Sequence, residues 1–401
     1  LVLYPYVYML ARSAFLEQSI CVLEVSRTLG NSPAASFYRV ALPLARPAIV
    51  TGLSLALMET LADYGTVEYF GVSTFTTGIF RTWFGMGDSA SAAQLSAMLL
   101  GFVFVLIVVE RWSRRRARFH HTNNKYSEIR RYRLQGFTKY LAFAACLLPV
   151  LLGFLLPALQ LLVWTFTTAQ ESISWSFFSL TWHSLMLAAV AAIVAVLLAL
   201  LLAYGKRLRS TPLIEGSVRT AAMGYAVPGT VIAVGVLIPF AWLDNTIDGW
   251  MRGTFGISTG LLLSGTLVAL IFAYTVRFLS VSIQAVESGL AKIKPSMDDA
   301  GRSLGLRPMG VLRKIHLPIM KGTVLTALLL VFVDVLKELP ATLILRPFNF
   351  NTLAVRAYEM AADERLADAG APALMIVLAG IIPVILLSRA ISRARAGGET
   401  P

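Results

Sequence analysis

The feature that most constrains this chain is a long internal repeat, whose two copies are offset by 275 residues, from Glu24 to Asp299. The segment 24–43 aligns without a gap with the segment 299–318, and both are polar and basic segments between apolar runs. The matched positions are Arg27/Arg302, Leu29/Leu304, Gly30/Gly305, Pro33/Pro308, Arg39/Lys314, Leu42/Leu317 and Pro43/Pro318. A repeat unit of this size predicts two fused homologous halves.

The composition is that of a membrane protein. Of the 401 residues, 57% are hydrophobic and only 14% are charged, which is too little polar surface to cover a soluble globule. The net charge of +13 is not evidence for nucleic-acid binding, because the basic residues cluster beside apolar runs. Cytoplasmic loops and anionic lipid headgroups account for such an excess of Lys and Arg.

A strongly basic stretch divides the chain. Residues 110–139 carry ten basic side chains against two acidic ones, which predicts a cytoplasmic location. We therefore predict a first membrane half over 1–110, a basic cytoplasmic linker over 111–139 and a second half over 140–401.

The apolar runs predict an all-α polytopic protein with about nine spans, the first of them partial. Six spans are predicted in the second half, over 140–166, 183–204, 219–241, 259–286, 322–345 and 371–388. The first polar motif follows only 23 residues, whereas the second follows roughly 160 residues of its own half. We therefore expect the sequence to be truncated at its N-terminus by about three spans.

Each copy of the polar motif is predicted to form a short helix, a turn and a second helix on the cytoplasmic side. The glycines Gly30 and Gly305 are predicted to end the first helix of each copy, because a residue in the left-handed conformation costs least there as glycine. Such a polar element must meet a partner in water. Two related copies predict a partner that is itself two-fold symmetric.

The two segments Glu24–Gly30 and Asp299–Gly305 resemble the acidic-Ala-Ala-x-x-x-Gly motif of ABC-importer permeases, although Val25, Ser26 and Gly301 replace alanine. The resemblance implies a type I ABC importer permease fold in the bacterial inner membrane, two copies of a cytoplasmic ABC ATPase as partners, and a periplasmic substrate-binding protein. The residues that it implies for ATPase coupling are Glu24, Arg27, Gly30, Pro43, Asp299, Gly301, Arg302, Gly305 and Pro318.

Three further runs, over 59–71, 76–84 and 334–350, resemble the fused two-domain permeases of ferric-iron importers. Permeases for thiamine, phosphonate or polyamine share that architecture and stay open as alternatives, as does a secondary transporter, which is a different class. No Gly-x-x-x-x-Gly-Lys-Ser/Thr occurs, so this chain is predicted to be a transport subunit rather than an enzyme. ATP and Mg²⁺ are expected on partner subunits, with no cofactor on this chain.

Several acids fall within predicted spans, where ionisable groups are expensive. One interpretation is that Lys337 neutralises its neighbours Asp334 and Glu338 within one helix. The sharper hypothesis is a substrate path lined by the hard oxygen ligands of Glu59, Asp63, Asp334 and Glu338. The paired arginines Arg81 and Arg356 either lie in solvent or contact the binding protein. No stably bound metal is expected.

Overall fold

The computed structural model describes residues 2–18, 20–115, 134–168 and 174–396. Most of the predicted basic linker, residues 116–133, lies outside them. Within these ranges every regular element is a helix, which confirms the all-α prediction. Contacts group the chain into two units, one of 1–61 with 98–160 and one of 62–97 with 161–401, and each unit is described by itself.

Seventeen helical segments are labelled here in chain order. They are α1 (Tyr4–Glu17), α2 (Ile20–Thr28), α3 (Pro33–Ala62), α4 (Gly65–Tyr69), α5 (Phe75–Phe80), α6 (Ser89–Arg115), α7 (Phe137–Thr167), α8 (Trp175–Leu208), α9 (Pro212–Ala221), α10 (Gly229–Phe255), α11 (Leu267–Ala291), α12 (Pro295–Ser303), α13 (Pro308–Ile319), α14 (Lys321–Leu336), α15 (Pro340–Leu345), α16 (Leu353–Ala362) and α17 (Gly370–Ala396).

Six helices of the described residues are long and apolar enough to cross a membrane, and a seventh span results if α13 and α14 are counted together. That pair is bent by 81°. The six are α3, α6, α7, α8, α10 and α11. The predicted total of about nine is larger because it also counts α1, which has only 14 residues, and α17, of which the part Gly370–Ile385 is a shorter apolar helix.

The structure corrects three predicted span boundaries. The span predicted over 219–241 begins only at Gly229, because Pro228 precedes the helix as its N-cap. The span predicted over 259–286 begins at Leu267, after Thr266 caps the helix. The span predicted over 322–345 ends at Leu336, because Pro340 has no N–H to continue the helical hydrogen bonds.

The predicted end of the span 219–241 is also wrong, since α10 continues to Phe255. Two carboxylates one turn apart bind the chain that follows this helix. Asp244 accepts hydrogen bonds from the backbone N–H and the hydroxyl of Ser264, at 2.7 and 2.6 Å, and Asp248 accepts one from the N–H of Thr259 at 2.7 Å. The loop is thus folded back along the helix that precedes it.

The internal repeat reappears as a repeat of secondary structure. Helices α2 and α12 occupy equivalent residues across the 275-residue offset, from Ile20 and Pro295. The helical turns that follow both change to π-helix, at Phe37–Ala41 and at Leu312–His316, again in equivalent positions. Over 20–41 and 295–316 the two copies therefore have the same backbone pattern residue by residue.

The centre of the second unit is a packing of α8 against α11 and α14. One face of α8 presents small residues at helical spacing, Ala188, Ala191, Ala195 and Ala199, and none of these four has any exposed surface. Small side chains let helix backbones approach closely, which is how helices associate within a membrane.

Candidate functional site

The polar motifs 24–43 and 299–318 are called the first and second coupling motifs, after the role predicted for them. The first coupling motif consists of α2 and the start of α3. Gly30 has a φ of +87°, and its N–H donates to the carbonyl of Arg27 at 3.0 Å, which closes the end of α2. The hydroxyls of Ser26 and Ser36 then share a hydrogen bond of 3.0 Å, and the Asn31 amide donates to Ser26 Oγ at 3.2 Å. This motif is held together by small polar groups.

The second coupling motif consists of α12 and α13 and ends its first helix in the same way. Gly305 has a φ of +80°, and its N–H donates to the carbonyl of Arg302 at 2.9 Å. The predicted capping role of glycine is confirmed in both copies. Here, however, the two helices meet through apolar contact, because a Cβ on Gly301 would lie 2.8 Å from Ile315 Cδ1 and 3.2 Å from Val311 Cγ2.

Eight of the nine residues predicted for ATPase coupling are exposed. They are Glu24, Arg27, Gly30, Pro43, Asp299, Arg302, Gly305 and Pro318. The ninth, Gly301, is buried and packs inside the motif, where it allows α12 and α13 to approach. The exposure of these eight residues does not test contact with an ATPase, so their coupling role stays a prediction.

The sequence prediction missed one exposed pair, the leucines directly before each capping glycine. Leu29 is 78% exposed and Leu304 is 84% exposed. Large apolar side chains this open to solvent, at equivalent positions of two copies, indicate a surface for contact with another protein. The signal was present in the sequence as an apolar match within a polar repeat.

A buried charged network, absent from the sequence prediction, lies beneath α12. Arg207, at the end of α8, donates from Nε to Asp298 Oδ2 at 2.8 Å. Its two terminal nitrogens donate to the carbonyls of Leu290 and Ile293 at 2.6 and 2.9 Å. The other oxygen of Asp298 accepts a hydrogen bond of 2.5 Å from Nε2 of His316, which has no exposed surface. These contacts join the second motif to α8 and to the end of α11.

This network keeps Asp298 ionised. Burial alone would raise the pKa of this carboxyl, but the hydrogen bonds from Arg207 and His316 outweigh burial and hold the pKa below its usual value. The neighbouring Asp299 faces solvent instead. Of two consecutive acids, one is therefore part of the internal network and the other remains available to a partner.

The acid Glu338 is placed differently from the expectation. It follows the end of α14 instead of lying within a helix, and it pairs with Arg277 of α11 instead of Lys337. The contact is 2.9 Å and both side chains are at most 8% exposed. A Cβ on Gly229 would lie 2.3 Å from Arg277 Nη1 and 2.4 Å from Glu338 Oε1, so the pair is closely packed against that glycine.

The remaining predicted acids have local partners or partial exposure. Asp334 pairs with Lys337 at 3.1 Å, as the neutralising interpretation predicted for this acid. Asp63 is half-buried and accepts a hydrogen bond of 3.3 Å from the N–H of Thr66 in the first turn of α4. Glu59 is half-buried in α3, in the first unit. The path that these acids were predicted to line stays a prediction.

Two cavities open in the second unit. One of about 520 Å³ is lined by Gly65, Glu68, Tyr69, Tyr358, Ala361, Ala362 and Glu364. Another of about 560 Å³ lies beside α16 and includes Arg356, whose guanidinium is 3.8 Å from Glu359. The repeat partner Arg81 is exposed. Among the described residues, no group of three His, Cys, Asp or Glu side chains could hold a metal ion.

Comparison with known proteins agrees with this architecture. Residues 1–119 match the family described as binding-protein-dependent transport system inner membrane component. The chain is 28% identical over 370 residues to the Fe(3+)-transport system permease protein FbpB 2 of Haemophilus influenzae, covering 91% of this chain and 70% of that protein. It is 24% identical over 412 residues to the ferric transport system permease protein FbpB of Actinobacillus pleuropneumoniae, covering 96% of this chain and 55% of that protein.

A solved structure shares the fold. The bacterial alginate ABC transporter, in complex with an alginate pentasaccharide-bound periplasmic protein, matches with a TM-score of 0.50 and 12% identity, over 66% of this chain and 96% of that chain. The helical fold and the long apolar helices thus define a multi-span helical membrane protein. The chain is similar to inner-membrane components of binding-protein-dependent transport systems. The relatives that it matches over most of its length are named as transport permeases.

Proposed function

We propose that this chain is the permease subunit of an ATP-driven importer that moves ferric iron from a periplasmic binding protein to the cytoplasm by alternating access. The observation that carries this proposal is the pair of exposed coupling motifs with one shared backbone pattern. Two copies of a cytoplasmic ABC ATPase, which hold ATP and Mg²⁺, dock on the two motifs. Closure of the ATPase pair then moves the motifs and the spans attached to them.

The exposed leucines support docking of a protein at the motifs. Each motif exposes a further apolar side chain at equivalent positions, Val22 at 42% and Met297 at 44% exposure. Each motif also carries an exposed charged residue, Arg27 in the first copy and Arg302 in the second. An apolar centre with charged residues around it is typical of a protein interface.

Two observations support a cationic substrate. The relatives described above are named as ferric-iron permeases. In addition, the cavity of about 520 Å³ has two carboxylates and two phenols among its lining residues, and none of the described residues that line it is basic. Hard oxygen donors suit a small, highly charged cation better than a phosphonate anion. Thiamine and polyamines are also cations and remain the alternatives.

The acids of the predicted path have unequal roles in this proposal. Asp63 and Glu59, both half-buried, are the proposed contacts of the moving cation. Glu338 holds the helix break in place through Arg277. Arg81 and Arg356 are proposed to contact the acidic surface of the binding protein, with Arg356 at the edge of the larger cavity.

Docking is tested by co-purification of the cognate ATPase with the double variant Leu29→Asp/Leu304→Asp. Hot-spot residues of this kind contribute at least about 2 kcal/mol each, so the ATPase is expected to be lost from the purified complex. The matched control is Leu213→Asp, because Leu213 is also 80% exposed but lies on α9, outside both motifs. Retention of the ATPase by the double variant would contradict the docking role.

The substrate is tested in proteoliposomes that contain the complete transporter and its binding protein. Uptake of radioactive ferric iron is expected to require ATP and to persist in the presence of excess spermidine, thiamine or 2-aminoethylphosphonate. Uptake that follows an ion gradient without ATP would identify a secondary transporter instead. Inhibition by one of the competitors would identify the corresponding alternative substrate.

A further inference from the structure

Helix α8 connects opposite ends of the second unit. Near its N-terminus, Ser184 Oγ accepts a hydrogen bond of 2.8 Å from the N–H of Leu353, the first residue of α16. Near its C-terminus, the Tyr204 hydroxyl donates to the carbonyl of Pro308, the first residue of α13, at 2.7 Å. Twenty helical residues separate the two contacts, a distance of about 30 Å, which is the thickness of a hydrocarbon core.

The helix between these contacts is built to be stiff. The stretch 175–204 contains neither glycine nor proline, so no residue is present that commonly kinks a helix. The fully buried alanines at 188, 191, 195 and 199 hold it closely against the neighbouring helices. A displacement of one end of α8 is therefore transmitted to its other end.

Arg207 is the residue that joins this helix to the coupling motif. Its planar guanidinium contacts three acceptors at once, namely Asp298 of α12 and the carbonyls of Leu290 and Ile293 at the end of α11. Its side chain is 18% exposed and that of Asp298 is 14% exposed, so water competes little with these bonds. A lysine ammonium in this place would be a single point charge without the fixed fork.

We propose that Arg207 is a positioning residue for energy coupling, which locks the coupling helix α12 to α8 so that movement of α12 reaches α16 at the opposite end. This inference rests on the proposed function, since it assumes that an ATPase moves α12. Helix α16 carries Arg356, the residue proposed to contact the binding protein. Through α8, contact of the binding protein with α16 therefore also changes ATP hydrolysis by the ATPase at α12.

The test uses the complete transporter in proteoliposomes and measures iron transported per ATP hydrolysed, together with the stimulation of ATP hydrolysis by the iron-loaded binding protein. Arg207→Met is expected to lower both by about tenfold, which is within the usual range for coupling between distant sites. The ATPase is expected to co-purify in normal amount. A residue that served stability alone would change yield and melting temperature but not the transport per ATP of the assembled complex.

The matched control is Arg209→Met, because Arg209 is exposed and lies just beyond the end of α8. It is expected to behave as the wild type. If Arg207→Met does not assemble, Arg207→Lys decides, since it keeps the charge near Asp298 and is expected to lower coupling by about threefold through loss of the fork. Wild-type coupling in an assembled Arg207 variant overturns the inference. A wild-type complex without stimulated ATP hydrolysis would instead contradict the proposed function.

Discussion

In the first coupling motif Ser26 and Ser36 share a hydrogen bond, whereas in the second motif the equivalent positions hold Gly301 and Val311 in apolar contact. The backbone pattern is nevertheless the same, down to the π-helical turn that follows. The shape of the motif is thus conserved between the copies, while the interactions that hold it have been exchanged.

The copies differ more strongly in their charges. Asp298 and His316 of the second copy correspond to Leu23 and Ala41 of the first, so the buried ionic network has no equivalent there. The acids Glu338 and Asp63, which follow α14 and α3 at equivalent positions, also differ in their partners. Glu338 is paired with Arg277, while its counterpart Asp63 is half-buried and accepts a hydrogen bond from the N–H of Thr66. The second copy therefore depends on paired charges and the first on local hydrogen bonds.

The largest expected difference between the copies concerns these two acids. Glu338→Ala leaves Arg277 buried and unpaired and is expected to lower the free energy of unfolding by about 4 kcal/mol. Asp63→Ala removes only the hydrogen bond from the N–H of Thr66 and is expected to lower it by about 1 kcal/mol. Thermal unfolding of the two purified variants in detergent measures which substitution destabilises the protein more.

The control for that comparison is the double variant Arg277→Met/Glu338→Leu. Replacing both members of a buried pair by apolar residues restores much of the stability that removal of one member takes away. A double variant as unstable as Glu338→Ala would mean that the acid acts through another contact. Equal effects of Glu338→Ala and Asp63→Ala would remove the contrast between the copies.

An exchange of the small residues inside the motifs is expected to have a smaller effect. Gly301→Ser places a Cβ 2.8 Å from Ile315 Cδ1 and is expected to destabilise by about 2 kcal/mol through overpacking. Ser26→Gly removes a buried hydrogen bond and is expected to destabilise by about 1 kcal/mol. Unfolding midpoints of the two single variants are compared, and a tolerated serine at 301 would show that α12 and α13 can separate freely.

The smallest expected difference is a pH effect that only the second copy shows. The pKa of Asp298 is lowered in the folded protein, so its stabilisation is present above the usual carboxyl pKa and is lost as pH falls through the lowered value. The wild type is expected to unfold about 2 °C above Asp298→Asn at pH 7. That gap should begin to narrow below about pH 4 and close as pH falls through the lowered pKa. A gap that is independent of pH would mean that the shape of the side chain matters and its charge does not.

The sequence predicted those features that depend on local pattern. The internal repeat, the helical class, the long apolar spans and the capping glycines all follow from periodicity and from the conformational needs of single residues. The helix break before Pro340 could also have been predicted from the sequence, since proline cannot continue a helix. It was missed because the apolar run continues on both sides of the break.

Contacts between residues far apart in the sequence could not be predicted from it. Arg277 is 61 residues from Glu338, and Arg207 is 91 residues from Asp298, so no helical spacing relates either pair. Lys337 is the nearest cation to Glu338 in the sequence, but adjacent residues of a helix do not face each other. The partner of Glu338 comes instead from α11, which packs beside it and supplies Arg277.

The π-helical turns after the coupling helices have a consequence for how such a protein can evolve. A π-helical turn holds one more residue than an α-helical turn, because its hydrogen bonds join residues five apart instead of four. The extra residue between Leu312 and His316 is taken up within that turn, so the flanking turns keep their α-helical register. A single-residue insertion or deletion at this turn would thus be absorbed with little rotation of the docking surface, whereas the same change in an ordinary α-helical stretch would rotate it by about 100°.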